Sequence, residues 1–136
     1  MPDGLLLPKE LLIMSYDYWI VNVDQRYHFL YEIAEESELR PLGNKEDIQR
    51  KISDIFPEIE WTQKDDDGTP VVWGALSSEC PSISILINGD ADVCIVNVLT
   101  SSRQNLENKV HAIAMAIKGS AVDMQTQEIW HSQTSD

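Results

Sequence analysis

The sequence has little of what small proteins use for covalent cross-links or metal sites. Its 136 residues include two cysteines, Cys80 and Cys94, with no CxxC motif and no histidine beside either. This excludes a disulfide framework and is typical of a protein in a reducing compartment. His28, His111 and His131 lie in separate predicted elements, so the ligand spacing of a zinc site is missing. We therefore expect neither a metal nor a cofactor.

Long apolar runs and the common catalytic motifs are missing as well. The opening MPDGLLLPKELLIM has no basic start and is interrupted by Pro8, Lys9 and Glu10, so it does not predict a signal peptide. No stretch reaches the roughly 18 apolar residues of a membrane span. GALSSE lacks the GxSxG spacing of a nucleophile elbow, and NGDAD indicates a turn rather than a phosphate loop. We expect a cytoplasmic protein that does not bind membranes and is not an enzyme.

Positive charge is scarce. Ten Lys and Arg residues face 23 Asp and Glu residues, which gives a formal net charge of −13. Nucleic acids and anionic membranes are bound through basic surfaces, so neither is expected as a partner. An acidic surface instead favours a basic protein and raises the rate of encounter with it. Solubility alone also explains such a charge, and this alternative stays open.

The length and composition predict one globular domain. Hydrophobic residues make up 43% of the chain and charged residues 24%, which is ordinary for a folded protein. A strand-like start, MSYDYWIV, begins at Met14. We therefore expect a flexible N-terminal extension over 1–13, a domain over 14–130 and a frayed tail over 131–136.

The first half of the domain predicts one strand and two helices. The aromatic and β-branched residues of 16–24 favour a strand. Apolar residues at helical spacing predict a helix from about 26 to 37. Asn44 is placed to cap a second helix that stops at Pro57, with an apolar stripe formed by Ile48, Ile52 and Ile55.

The middle of the chain is rich in strand signals. Asp-Gly in KDDDGT lies between two apolar runs and predicts a hairpin, and Asn-Gly in NGDAD predicts a second tight hairpin. Alternation in SISILI places Ile83, Ile85 and Ile87 on one face of a strand. Turns this short join antiparallel strands.

The last helix has a start, a stripe and an end. Ser101 and Gln104 fit a capping box, and Gly119 fits a left-handed end. SAVD, MQTQ and EIW then predict a return to the sheet, a turn and an edge strand. The order is β-α-α-β-β-β-β-α-β, an α+β fold with an antiparallel sheet of five to six strands and helices on one face. The helix stripe consists of Leu106, Val110, Ile113 and Ile117.

Acidic residues and tryptophans are the candidate site residues. DDDG and DAD do not fit a calcium loop, which needs alternating ligands and a later Glu. Tryptophans on a sheet face, ringed by carboxylates, would instead form a protein-binding surface. Core packing is the competing role for these tryptophans. The predicted partner-binding residues are Glu35, Glu36, Glu38, Asp65, Asp66, Asp67, Trp61 and Trp73.

The two ends of the chain resemble a pattern found in small bacterial α+β proteins. The start MSYDYWIV and the ending AVDMQTQEIW are similar to those of immunity proteins of polymorphic or type VI-secreted toxins. In that pattern the turn is often Asp-Pro-Gln-Thr-Gly, and here Met124 replaces the Pro and Gln127 the Gly. The resemblance implies an inhibitor that occludes a cognate toxin, and it transfers no binding residues.

Three interpretations follow from the sequence. The first is a non-catalytic acidic protein that neutralises a basic toxin by covering its active site. The second is an enzyme whose titratable groups converge in an unrecognised pocket. The third is a small adaptor, or a homodimer formed by pairing an edge strand with itself.

Overall fold

The computed structural model describes residues 16–34, 39–66, 69–76, 83–88, 92–100 and 107–132, without the side chains of 64–66, 69–71 and 88. The predicted extension over 1–13, the capping box at Ser101 and Gln104, and Leu106 lie outside the described residues. The described elements are β1 (Tyr16–Val21), a 3-10 turn (Leu30–Glu32), α1 (Lys45–Ile55), β2 (Glu60–Asp66), β3 (Thr69–Leu76), β4 (Ile83–Asn88), β5 (Ile95–Thr100), α2 (Glu107–Ala116), β6 (Ser120–Asp123) and β7 (Ile129–His131).

The strands form one open sheet in which every neighbouring pair is antiparallel. Their order is β2-β3-β4-β5-β1-β6-β7. The α+β class is therefore confirmed. The described sheet has seven strands instead of the predicted five to six, because the closing stretch contributes both β6 and β7.

Both helices pack on one face of the sheet and form the main core there. Ile83, Ile85 and Ile87 lie on this face, as their alternation predicts. From the helices, the main core receives Ile48, Ile52, Val110, Ile113, Ala114 and Ile117. Since these side chains are almost fully buried, the two helices and the sheet form a single hydrophobic unit.

Helix α1 forms where its local signals place it. The Asn44 side chain accepts a hydrogen bond of 2.8 Å from the Asp47 backbone N–H, so the predicted cap is confirmed. Ile48 and Ile52 are buried, but Ile55 is 38% exposed. The buried stripe therefore ends at Ile52, one turn before the helix itself ends at Ile55.

The helix predicted over 26–37 is wrong, because the described part of this segment contains only the 3-10 turn Leu30–Glu32. Its backbone is bound to the C-terminal hairpin: the Leu30 N–H donates to the Gln127 carbonyl, and the Ile129 N–H donates to the His28 carbonyl. Leu30 and Ile33 pack in a second, smaller cluster with Val21 and Ile129. Contacts distant in sequence have replaced the helical hydrogen bonds here.

The two predicted hairpins have different outcomes. Asp66 pairs with Thr69, so β2 and β3 are joined by residues 67 and 68, and the Asp-Gly hairpin is confirmed. The second hairpin is confirmed as an antiparallel β4-β5 pair, but its connection is not the predicted tight turn. Ile87 pairs with Val96, and residues 88–95 intervene. Val93 in this connection pairs instead with Gly43 before α1. The longer connection lets Val93 reach the segment before α1, which a two-residue turn would not allow.

The end of α2 also differs from the prediction. Lys118, not Gly119, adopts the left-handed conformation, with φ of 57°. A Cβ atom at Gly119 would lie 2.7 Å from Ile20 Cγ2 and 3.1 Å from the Val21 carbonyl oxygen. Glycine is therefore needed at 119 for close packing against β1 rather than for its backbone freedom.

The closing stretch forms the predicted return and edge strand, β6 and β7. Gln127 stands where the resembling pattern has Gly, and it adopts a left-handed φ of 65°. His131 lies within β7, where its Nε2 is 2.7 Å from the Tyr27 carbonyl oxygen and its Nδ1 is 2.8 Å from Ser120 Oγ. Ser132 donates to the Gly119 carbonyl. Ordered contacts therefore continue past 130, the predicted end of the domain.

Candidate functional site

A cavity of about 180 Å³ opens between α2 and the β1-β6-β7 end of the sheet. Three carboxylates, a phenol, an imidazole and an indole contribute to its wall. The described lining residues are Tyr18, Glu107, His111, Ala121, Asp123, Glu128, Ile129 and Trp130. Their chemistry makes this the candidate binding site of the described part of the chain.

Strand register brings the sheet side of the cavity together. Tyr18 on β1 is paired with Asp123 on β6, so the phenol and the carboxylate are neighbours on the helix-bearing face. Ala121 on β6 is paired with Trp130 on β7 in the next row of the same face. The small Ala121 side chain leaves room beside the large indole.

Helix α2 supplies the opposite wall. Glu107 and His111 are four residues apart, so their side chains share one face of the helix. The His111 ring stacks on the Trp130 ring, with centroids 3.8 Å apart and an angle of 5° between the planes. The imidazole is half-buried, and the indole that it stacks on belongs to an edge strand.

The cavity has a strongly acidic character. Burial lowers the pKa of His111 from its ordinary value, and the nearby Glu107 carboxylate opposes this only in part. This shift disfavours the charged imidazolium, so His111 offsets the negative charge of the cavity less than an exposed histidine would. None of the described residues that line the cavity is a Lys or an Arg.

Several described basic side chains are paired elsewhere. Arg50 and Lys51 on α1 lie 2.6 Å and 3.8 Å from the Asp47 carboxylate. Arg40 lies 4.0 Å from the Asp24 carboxylate. These residues do not line the cavity, and the ion pairs that they form are largely exposed.

The turn between β6 and β7 fixes two of the acidic residues. The Gln125 N–H donates to Asp123 Oδ1 at 2.9 Å, and the Gln127 N–H donates to the Asp123 carbonyl at 2.6 Å. The Glu128 N–H donates to Thr126 Oγ1 at 3.2 Å. Local hydrogen bonds thus hold the backbone that carries Asp123 and Glu128.

Of the residues that the sequence predicts as a site, the four described ones lie on the β2-β3 hairpin, away from the cavity. Asp65 and Asp66 lie on β2, and their side chains are not described. Trp61 lies on the helix-bearing face, where its indole N–H donates to Ser53 Oγ at 2.9 Å. Trp73 lies on the opposite face, opposite Leu86. The predicted residues Glu35, Glu36, Glu38 and Asp67 lie outside the described residues.

The face opposite the helices is covered unevenly. Near β1 and β6 it packs against Tyr27, Leu30 and Ile33. Towards β2, Trp73 and Leu86 are half-buried there. Of the predicted partner-binding tryptophans, Trp73 alone therefore lies on this face.

Most of the cavity residues were missed by sequence reasoning. Tyr18 and Trp130 are predicted as strand residues, but the sequence does not show that their strands have a common neighbour. One local signal was present: Glu107 and His111 are spaced for one helix face beside a buried stripe. The two chain ends that carry the resemblance were a second signal, since MSYDYWIV contains Tyr18 and AVDMQTQEIW contains five of the lining residues.

The described residues contain neither a cluster of metal ligands nor a helix that could span a membrane. No group of three or more His, Cys, Asp or Glu side chains is arranged there to hold a metal ion. Neither described helix combines the length and the apolar character that crossing a membrane requires.

Comparison of the chain with protein-family models, with curated proteins and with solved structures gives no match.

Proposed function

We propose that the protein is a non-catalytic acidic binding protein that neutralises a basic protein partner, of the toxin-immunity type, by covering the partner's active site. One observation carries the proposal: three carboxylates surround an open cavity beside an aromatic stack, and no described lining residue is a Lys or an Arg. A basic surface is the natural complement of such a site. The net charge of −13 adds long-range attraction for a basic partner.

The location of the cavity supports the same function. It is lined in part by β1 and the closing hairpin, which belong to the two segments that resemble immunity proteins. Trp130 and His111 offer aromatic area for a central contact, and Glu107, Asp123 and Glu128 form an acidic rim. Interfaces built this way concentrate binding energy at the aromatic centre and use the charged rim for encounter.

Co-expression tests the function directly. The products of the genes flanking this one are expressed in a bacterium with and without this chain, and growth is measured. We expect one product to be toxic alone and harmless with the chain, and the two proteins to purify as a complex. The proposal is wrong if neither product binds the chain.

Salt dependence tests the mechanism of encounter. With the partner as an inactive variant, stopped-flow kinetics should show an association rate that falls steeply with ionic strength and a dissociation rate that changes little. A flat response of the association rate would contradict charge-steered binding.

An enzyme is the second candidate, and a specific observation favours it. Tyr18, His111 and three carboxylates converge on one cavity, and the pKa of His111 is shifted by burial. We rank it second because the His111 ring is held by its stack on Trp130, and no described hydrogen bond orients the ring through a carboxylate. Turnover of a substrate by the isolated chain, abolished in His111→Gln, would reverse this order.

A further inference from the structure

The cavity has the size of one large side chain. An apolar cavity of about 150 Å³ holds benzene, which has about as many heavy atoms as arginine has from Cγ outward. The volume of about 180 Å³ at the α2-β7 site therefore admits the outer part of one arginine. It is too small for a folded element of a partner, so any partner reaches it with a single extended group.

The wall of the cavity selects the kind of group. Glu107 on α2 and Glu128 beside the β6-β7 turn both line the cavity, so a group bound there meets carboxylates from two different elements. The His111–Trp130 stack adds flat aromatic surface. A planar cation with several N–H donors matches both features, since guanidinium groups pair with carboxylates and stack on aromatic rings.

We propose that this cavity binds the guanidinium of one arginine side chain from the basic partner, between Glu107 and Glu128 and against the His111–Trp130 stack. The inference rests on the proposed function and names the group by which the partner is recognised. Lysine fits less well because its ammonium is a compact, strongly hydrated charge without a flat face. Asp123, whose Oδ1 already accepts the Gln125 N–H, contributes negative charge from the β6 side.

The test uses N-acetyl-argininamide as the probe and N-acetyl-citrullinamide as its neutral counterpart of the same shape. Both are titrated into the ¹⁵N-labelled chain at neutral pH, and amide and indole resonances are followed. We expect saturable shifts at Trp130, His111 and Tyr18 with the arginine probe and none with citrulline. Equal shifts with both probes would overturn the inference, as would arginine shifts spread evenly over acidic residues.

Variants matched in charge distinguish the effect of the cavity carboxylates on arginine binding from the effect of net charge alone. Glu107→Gln/Glu128→Gln removes two of the carboxylates that line the cavity, and Asp54→Asn/Glu60→Gln removes the same charge from exposed positions on α1 and β2. We expect the first pair to weaken arginine binding about tenfold or more, and the second less than about twofold. Unchanged thermal midpoints show that both variants fold. Equal weakening by the two pairs would overturn the inference.

The inference and the proposed function can fail separately. A toxin complex that forms normally with Glu107→Gln/Glu128→Gln would overturn the arginine site and leave the binding function standing. If the chain binds arginine specifically but binds neither flanking gene product, the arginine site stands and the proposed function is overturned.

Discussion

Trp61 and Trp130 lie near opposite edges of the same sheet, on the same face, and each contacts a helix. At the β2 edge, Trp61 lies over Gly74 and donates to Ser53 Oγ on α1. At the β7 edge, Trp130 stacks on His111 of α2 and borders an open cavity. Trp61 is closely packed between β3 and α1, whereas Trp130 borders a cavity lined by carboxylates. Aromatic side chains in equivalent places thus serve stability at one edge and offer a binding surface at the other.

The largest expected effect is the difference between the two tryptophans. Trp61→Ala should lower the free energy of unfolding by about 3 kcal/mol, since it removes a large packed ring and the partner of Ser53. Trp130→Ala should cost about 1 kcal/mol, because this ring already borders open space and loses mainly its stack on His111. Urea denaturation measures both. Equal losses would show that the two edges do not differ.

The Trp61 contact should also be sensitive from its other side. A Cβ atom at Gly74 would lie 2.6 Å from Trp61 Cζ3, so Gly74→Ala forces the indole ring to move. We expect a loss of about 2 kcal/mol, as for other overpacked sites. Ala75→Ser on the other face of β3 is the control, with a change of about 0.5 kcal/mol or less. If Gly74→Ala leaves the free energy of unfolding unchanged, Trp61 is not closely packed against β3.

The turn before β7 should contain backbone strain at Gln127 that a substitution can remove. Gln127 adopts a left-handed conformation that glycine tolerates without a steric penalty. Gln127→Gly should therefore raise the free energy of unfolding by about 0.5 kcal/mol, after the entropy that glycine adds to the unfolded chain. Gln125→Gly in the same turn lacks this gain and serves as control. A loss of stability in Gln127→Gly would rule out strain at this position.

The smallest expected effect is a pH dependence confined to the β7 edge. Burial lowers the pKa of His111, so the unfolded chain binds a proton at higher pH than the folded chain does. The stability from this group is complete above the ordinary His pKa of about 6.5 and is lost as pH falls below it. His111→Gln should flatten this part of the thermal midpoint curve. Glu107, Tyr18, Asp123 and Glu128 also face the cavity, so each pH is compared between the wild-type chain and His111→Gln, which share these groups.

The parts of the fold that were predictable from sequence are those held by local interactions. The Asn44 cap and the buried Ile48 and Ile52 define α1 within one short segment. The Asp-Gly hairpin needs only its own two strands. In contrast, the segment predicted as a helix over 26–37 has suitable apolar spacing, but it is bound to the C-terminal hairpin about a hundred residues away. Such contacts leave no periodic trace in the sequence.

The candidate site was not predictable for the same reason. Its residues come from β1, α2 and the closing hairpin, and only the position of β1 between β5 and β6 brings them together. The sequence predicts carboxylates around Trp61 and Trp73, which stays a prediction. The cavity instead has Trp130 in its lining, whereas Trp61 packs against the main core.

The most direct test asks whether the carboxylates of the cavity dock the partner or merely add to an even negative charge. The affinity of the complex with the toxic flanking gene product is measured by calorimetry for the wild-type chain, Glu107→Gln/Glu128→Gln and the charge-matched Asp54→Asn/Glu60→Gln. A docking role predicts that the cavity pair weakens binding about tenfold or more beyond the control pair. Equal weakening by the two pairs would contradict it.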